Sequence, residues 1–350
     1  MKTSYLNRRD FLKISGVTTS LTALPSMTFG RNDEVIVGHG SHQYKVVKGW
    51  GVLDADKNPV NDCHEMVEVA DGRLFMLTNE TKNNVLIYDK SGKLLDVWGA
   101  SYPGAHGLTV AGEGKDQFLL ICDNNRSQVI KTDLKGKELM KLEYPKETGK
   151  YDYPGQFVPT ETCVNPVNGD IYVADGYGKS LIIQYTSKGE YIRHFGGRGK
   201  ENENLNCSHG VLIDSRGGKT PTLLVTSRDE CSWKRFTLDG KYLSTIHLPG
   251  TFICRPVIRD NYLIGASFRS TSQSYPNSGY VQILNADNKV ISTPGGSEPI
   301  YQNGELQKQR QEDPTNIFMH PHDVYMDADD SLYVPQWASQ KTYPIKLERT

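Results

Sequence analysis

The sequence has no excess of charge of either sign, because 40 lysines and arginines stand against 41 aspartates and glutamates. A nucleic-acid-binding surface needs a surplus of basic side chains to neutralise phosphates, so we expect no nucleic-acid partner. The sequence also lacks an uninterrupted apolar run of the length that crosses a bilayer, so we expect no membrane span. No segment after Gly30 keeps a helical hydrophobic period, which argues against a mainly helical fold.

Cysteine is sparse, and the 6 cysteines form no C-x-x-C pair of the kind found in many zinc and redox sites. The amino-terminal segment that precedes Arg31 contains none, which excludes a lipid anchor on a cysteine there. Cys122 ends an apolar run and is interpreted as a buried core thiol. An oxidising compartment would allow disulfides, but the sequence favours no particular pairing.

Residues 1–30 have the features of an export signal. Arg8 and Arg9 are followed by Phe-Leu-Lys, the twin-arginine pattern, and then by a modest apolar stretch over residues 14–29. A signal for the general secretion route is the alternative. We therefore expect a twin-arginine signal peptide and a periplasmic or secreted protein. That route carries proteins that have already folded, often with a metal or cofactor, so it favours a bound metal.

A unit of about 45 residues recurs along residues 31–350, a period typical of propeller blades. Each copy contains four short apolar runs separated by Asp-Gly, Asn-Gly or Lys-Gly turns, the signal for two-residue hairpins. One such sheet cannot bury its own faces, so the units must stack around an axis. The sequence predicts an all-β, six-bladed β-propeller in a single domain. The rival is a pair of β-sandwiches, which the regular repeat disfavours.

Two segments fall outside the repeat. Residues 44–50 precede the first unit, and we expect them to supply the outer strand that closes the ring against the last unit. Residues 294–319 are polar and poorly patterned, and we expect a loop on the rim.

Three histidines stand at the start of the innermost strand of the second, fourth and sixth units: His106, His209 and His322. In a six-bladed ring these positions face the channel about 120° apart. Three imidazoles with one open position are typical of catalytic zinc, so we predict a zinc site. The alternative is a polar channel whose histidines bond only to water or carbonyls. His64 lies close to this place in the first unit, and we assign it a supporting or substrate-contacting role.

An ordered set of motifs carries a family resemblance. They are His106-Gly107-Leu108, Asp175-Gly176-Tyr177, the turn at His209, Thr226-Ser227-Arg228 and Pro321-His322-Asp323. From about Met66 onward, the chain resembles the lyase domain of peptidylglycine alpha-amidating monooxygenase, a six-bladed NHL-repeat propeller.

The resemblance implies metal and catalytic residues. The family's zinc ligands match the three histidines above. Its structural calcium would be held by Asp323 with the backbone carbonyls of Leu108 and Val67, and oxygen ligands suit that ion. Its catalytic tyrosine matches Tyr177, and one of its two arginines matches Arg228.

The second family arginine has no match, and Lys82 stands at that position. Lysine lacks the planar fork that grips a carboxylate, so we expect the substrate to differ from the family's α-hydroxyglycine peptide. Arg126, Arg255 and Arg269 are candidates for other substrate contacts.

A metal, a phenol and an arginine suit an elimination beside a carboxylate. The metal would polarise a substrate oxygen. Tyr177 would act as base or acid, with its pKa lowered by the nearby positive charge, and Arg228 would hold the carboxylate.

For the substrate we favour a uronate-containing oligosaccharide from polysaccharide breakdown, acted on by a monomeric, zinc-dependent lyase. The alternatives are amidating cleavage of an α-hydroxyglycine peptide, hydrolysis by metal-bound hydroxide, and a non-enzymatic binding module with a structural metal.

Overall fold

The apolar runs of the sequence form short strands in the computed structural model, which describes residues 34–218, 220–270, 278–311 and 317–350. The predicted signal peptide, residues 1–30, lies outside the described residues and stays a prediction. Residues Val35–Thr350 form one compact unit. No helix among the described residues has the length and apolar character needed to cross a bilayer.

The described part of the chain begins with two strands, β1 (Ile36–His39) and β2 (His42–Val47), and then forms five four-stranded antiparallel blades. The first blade is β3 (Cys63–Glu68), β4 (Leu74–Thr78), β5 (Val85–Tyr88) and β6 (Leu94–Trp98). The second is β7 (Ala105–Ala111), β8 (Phe118–Asp123), β9 (Gln128–Asp133) and β10 (Glu138–Leu142). The third is β11 (Glu161–Val164), β12 (Ile171–Ala174), β13 (Leu181–Tyr185) and β14 (Tyr191–Gly196).

The fourth blade is β15 (Val211–Asp214), β16 (Thr222–Ser227), β17 (Ser232–Phe236) and β18 (Tyr242–His247). The fifth is β19 (Val257–Arg259), β20 (Tyr262–Ser267), β21 (Tyr280–Leu284) and β22 (Val290–Ser292). A small hairpin of β23 (Tyr301–Gln302) and β24 (Glu305–Leu306) follows, and then the sixth blade with β25 (Tyr325–Met326), β26 (Leu332–Val334) and β27 (Ile345–Arg349). Short 3₁₀ helices span Gly114–Asp116, Lys146–Thr148, Pro154–Gln156 and Arg228–Glu230.

The predicted all-β, six-bladed propeller is therefore confirmed. Each apolar core lies between two neighbouring blades, and there is one for each of the six junctions. The middle strands are buried on both faces for this reason, and β4 is buried at all five positions. A strand sandwiched in this way reads as a continuous apolar run and not as a strict alternation.

The ring closes between the two ends of the chain. β2 pairs antiparallel with β27, from Tyr44 opposite Arg349 to Val47 opposite Lys346. This confirms the predicted closing segment, although the strand starts at His42 and β1 adds a fifth strand outside it. The sequence predicts a loop on the rim over residues 294–319. That is wrong in part, because β23 and β24 form a hairpin there, and residues 312–316 lie outside the described residues.

The strand register brings functional positions to one end of every blade. The start of each first strand lies opposite the end of the second, as Cys63 opposite Thr78 and Ala105 opposite Asp123. The turns between second and third strands therefore surround the same mouth of the channel as the predicted histidines. All 6 cysteines lie in the described part of the chain, and each is a free thiol, with Cys122 buried as predicted.

Glycines follow two of the predicted histidines because neighbouring blades approach closely at this level. A β-carbon on Gly107 would lie 2.5 Å from the Thr160 carbonyl oxygen of the next blade. A β-carbon on Gly210 would overlap the backbone of Arg255. In both cases the obstacle is backbone, which yields less easily than the tip of a side chain.

We expect Gly210→Ala to lower the free energy of unfolding by about 1–3 kcal/mol, the usual cost of overpacking. Chemical denaturation checks this, with Gly155→Ala as control. The exposed Gly155 would meet only the edge of the Tyr153 ring, at 3.2 Å. Equal stability of the two variants would contradict the close approach at Gly210.

Candidate metal centre and active site

Local backbone irregularities aim two histidines into the channel. The pairing of β3 with β4 shifts register between Cys63 and Glu65, and that of β7 with β8 shifts between Ala105 and Gly107. The residues in these bulges are His64 and His106. A bulge residue leaves the ladder and turns its side chain, a common device beside functional sites.

Four buried histidines, not three, meet at the channel mouth. His209 and His322 precede β15 and β25 and join the two bulge residues. The imidazole centroids of His106 lie 4.6 Å from His64, 4.8 Å from His209 and 4.8 Å from His322. His322 is also 4.7 Å from His64 and 4.9 Å from His209.

Backbone carbonyls fix the tautomer of two rings. Nδ1 of His106 lies 2.9 Å from the Thr160 carbonyl oxygen, and Nδ1 of His322 lies 3.1 Å from that of His64. A carbonyl only accepts, so each Nδ1 carries the hydrogen and each Nε2 keeps a lone pair. Burial lowers the pKa of His64 to about 3 and holds the pKa values of the other three well below the ordinary value. The rings are therefore neutral, the form that binds metal.

Two overlapping groups present ligand atoms within 4.8 Å of one another. One is His64, His106 and His322, and the other is His209, Cys254 and His322. Nδ1 of His64 and Nδ1 of His209 are buried without a hydrogen-bond partner among the described residues, as expected where a further ligand belongs. Nitrogen and sulfur donors in this arrangement fit zinc.

The all-histidine group is the better of the two. Arg228 Nη2 donates to the Cys254 sulfur at 3.1 Å, and burial raises the pKa of this thiol to about 11. The Cys254 sulfur is thus already bonded to a guanidinium, whereas the imidazoles of the other group are neutral and ready to bind a metal. His64 thus joins the candidate ligands, which the sequence register did not indicate because the bulge shifts it by one residue.

Tyr177 lies between the histidines and Arg228. Its hydroxyl oxygen is 3.1 Å from His106 Nε2 and 3.0 Å from His209 Nε2, and it accepts from Arg228 Nη1 at 3.3 Å. Tyr177 as a whole residue is 42% exposed at the channel mouth, while its hydroxyl contacts these buried groups. Arg228 is held by Ile253, whose carbonyl accepts from Nε at 3.3 Å, and by stacking on an aromatic ring.

The expected lowering of the Tyr177 pKa does not occur in the protein alone. Burial of the hydroxyl outweighs the opposing Arg228 charge and raises the pKa to about 12. Asp175 fixes the turn that carries Tyr177. Its carboxylate accepts from the backbone N–H groups of Val158 and Lys179 at 2.7 and 2.6 Å.

A pocket of about 240 Å³ opens above this cluster. It is lined by both bulge histidines, Tyr177 and Trp337, and by amide side chains, including Asn79, Asn124 and Asn125. Lys82 is exposed in the turn between β4 and β5 and is not among the described residues that line this pocket. The structure therefore does not bring Lys82 to the candidate site.

Arg255 already occupies the oxygens that the resemblance assigns to calcium. Both Asp323 carboxylate oxygens accept from Arg255, at 2.7 and 2.8 Å, and the Leu108 carbonyl accepts from Arg255 Nη1 at 3.3 Å. The first-blade carbonyl beside them is that of Met66, not Val67. The Arg255 guanidinium thus occupies the position that the resemblance gives to a calcium ion.

The other two arginines considered for substrate contacts also have partners. Arg126 donates to the Ser101 carbonyl at 2.8 Å. Arg269 stacks on Phe252 and Phe268, with centroid distances of 4.6 and 4.8 Å.

Fold and site together define a six-bladed propeller with a histidine-lined axial pocket, and sequence comparison relates it weakly to amidating enzymes. The probable peptidyl-alpha-hydroxyglycine alpha-amidating lyase of Caenorhabditis elegans is 24% identical over 196 residues, 56% of this chain and 50% of that protein. Peptidyl-glycine alpha-amidating monooxygenase B of Xenopus laevis is 25% identical over 158 residues, 36% of this chain and 18% of that protein. The chain spans half or less of these curated relatives. No family model matches it.

Solved structures share the propeller architecture. A gluconolactonase, XC5397 from Xanthomonas campestris, aligns with a TM-score of 0.59 at 13% identity, covering 91% of this chain and 95% of that chain. A streptogramin B lyase aligns with a TM-score of 0.54 at 15% identity, covering 83% and 95%. Identities this low show the fold alone. Similar proteins thus include lyases, and the relation to any one of them is distant.

We expect His322→Ala to weaken zinc binding more than about 100-fold, because His322 belongs to both ligand groups. His64→Ala should weaken it more than about tenfold if the all-histidine group binds. Zinc titration with a competing chelator measures both, with the exposed His247→Ala as control. Unchanged affinity in His322→Ala would contradict a metal centre at this place.

Proposed function

We propose that this protein is a metal-dependent lyase that breaks a C–O or C–N bond next to a carboxylate. One observation supports this most strongly. The Tyr177 hydroxyl lies within 3.3 Å of Arg228 Nη1 and of two imidazole nitrogens, those of His106 and His209, below an open pocket. A proton carrier, a fixed positive charge and neutral imidazole nitrogens therefore meet at one point.

The chain's own residues divide the work of an elimination. His64, His106 and His322 would hold the metal, which when bound supplies a positive charge that polarises a substrate oxygen. Arg228 binds the carboxylate and offsets charge that develops on it. Tyr177 would first give its own proton to solvent, which the Arg228 charge and a bound metal would favour, because only the phenolate can take the substrate proton. The electron pair left behind on the substrate then forms the new double bond, and the re-formed hydroxyl returns the proton to the leaving oxygen or nitrogen.

Arg228 is preorganised for its part. Its guanidinium stacks on Phe268 with 4.6 Å to the ring centroid and is fixed by the Ile253 carbonyl and the Cys254 sulfur. Arg228 is 5% exposed and held in one orientation, so it would lose little side-chain entropy if a substrate carboxylate reached it.

The pocket supports the acidic end of a sugar chain as the substrate. Asn79, Asn124 and Asn125 line it, and an amide both donates to and accepts from hydroxyl groups. Trp337, 37% exposed at the same pocket, offers an aromatic face on which a sugar ring can stack. We therefore favour a uronate-containing oligosaccharide and propose that the protein acts after export.

A second candidate is cleavage of a peptide that ends in α-hydroxyglycine, which releases an amide and glyoxylate. The sequence similarity to amidating enzymes favours it. The place of Lys82 outside the pocket argues against it, because that family's second arginine then has no counterpart at the site.

We expect Tyr177→Phe to lower kcat by at least about 100-fold, because the proton carrier is lost while the ring remains. Zinc content should stay unchanged, since the histidines are intact. The matched control is Tyr153→Phe, at an exposed tyrosine in another loop. A fully active Tyr177→Phe enzyme would exclude the proposed acid–base role.

The products separate the remaining alternatives. Incubation with acidic oligosaccharides should generate a conjugated C=C that absorbs in the near ultraviolet, whereas α-hydroxyglycine peptides would yield glyoxylate. Hydrolysis leaves neither product. Binding of an oligosaccharide without turnover, in protein shown to contain zinc, would instead support the binding module.

A further inference from the structure

A second polar cluster lies on the channel axis beside the histidines, on the inner strands of the blades. Its carboxylates belong to Glu65 in β3, Glu161 in β11 and Asp323 just before β25, and their side chains are 2%, 1% and 0% exposed. Buried carboxylates this close repel one another, and a cation beside them relieves that repulsion.

Arg255 provides the positive charge. Its Nε and Nη2 donate to Asp323 at 2.7 and 2.8 Å, and its Nη1 lies 3.6 Å from Glu65 and 3.8 Å from Glu161. The guanidinium also donates to two backbone carbonyls, to Met66 at 3.1 Å and to Leu108 at 3.3 Å.

The oxygens around this guanidinium are those a calcium ion would require. Three carboxylates and two backbone carbonyls, from four different blades, form an all-oxygen cage, the ligand set of a hard cation. The planar Arg255 guanidinium donates hydrogen bonds to the oxygens of this cage, including a bidentate pair to the Asp323 carboxylate. The same carboxylate also accepts from the Met66 N–H at 3.1 Å, and the Glu65 carboxylate accepts from the Leu108 N–H.

The contacts of Arg255 reach around the ring. Its side chain meets residues of the first, second, third and sixth blades, while Arg255 itself leads into β19 of the fifth. Its backbone packs on Gly210 of the fourth, where a β-carbon would not fit. Arg255 therefore contacts residues on or just before the inner strand of each of the five other blades.

We propose that the Arg255 guanidinium replaces a structural calcium ion as the cation that ties the blades together on the axis. The protein then needs no calcium for stability, and removal of this side chain uncovers an oxygen cage that takes calcium.

Wild-type protein in calcium-free buffer tests the first part. Elemental analysis should find well under one calcium per chain, and millimolar calcium should leave Tm unchanged. About one retained calcium per chain, or a rise in Tm of several degrees on adding calcium, would overturn the proposal.

Arg255→Ala tests the second part. We expect Tm to fall by at least about 5 °C without calcium, because three buried carboxylates lose their partner, and to recover by several degrees in millimolar calcium. Arg259→Ala, at a partly exposed arginine paired with Asp260 in the same blade, should show neither effect. An unchanged Tm in Arg255→Ala, or a fall that calcium does not reverse, counts against the proposal.

If Arg255→Ala does not fold, Arg255→Lys takes its place. A single ammonium keeps the charge but reaches fewer oxygens, so Tm should fall without gaining a calcium response. Loss of the proposed lyase activity alone, with the expected calcium behaviour intact, would separate a failure of the function from a failure of this inference.

Discussion

The antiparallel pairing of β2 with β27 is the constraint on which the structure depends, because it joins the two ends of the sheet order into a closed ring. Once the ring is closed, every blade is covered on both faces by a neighbour, and the apolar cores lie at the junctions. Closure also forces the inner strands of all six blades toward one axis. Polar residues there are removed from bulk water and must find partners across blades and not within one blade.

The axis meets this demand with two different polar clusters. At the channel mouth, neutral imidazoles are oriented by backbone carbonyls and surround the Tyr177 hydroxyl. On the inner strands, carboxylates surround the Arg255 guanidinium. The two are linked covalently, since His64 is followed by Glu65 and His322 by Asp323. The imidazole cluster and the ion-paired cluster are therefore adjacent in sequence at these two places, which holds the histidines next to rigid neighbours.

The strands and the repeat could be predicted from the sequence, since the signals are local: short apolar runs, two-residue turns and a fixed period. The three histidines at equivalent repeat positions followed from the same register, and the structure brings them together with Tyr177 and Arg228. The hairpin at Tyr301–Gln302 and Glu305–Leu306 was missed because two-residue strands leave little pattern in a polar segment. His64 was placed outside the ligand set because a bulge changes which side chain faces the axis, and no residue type marks that bulge.

By itself the sequence determined the all-β class, the number of blades and the closing strand. Strands that are buried on both faces must be continuous apolar runs, and such runs are visible in the sequence. Tertiary structure alone decided which charges meet. Lys82 stays exposed in its turn, and Arg255, distant from Asp323 in sequence, takes the place expected for calcium. The raised pKa of Tyr177 was likewise decided by burial and not by its charged neighbour. The charged groups on the axis come from different blades, and they come close enough to interact only after the ring has closed.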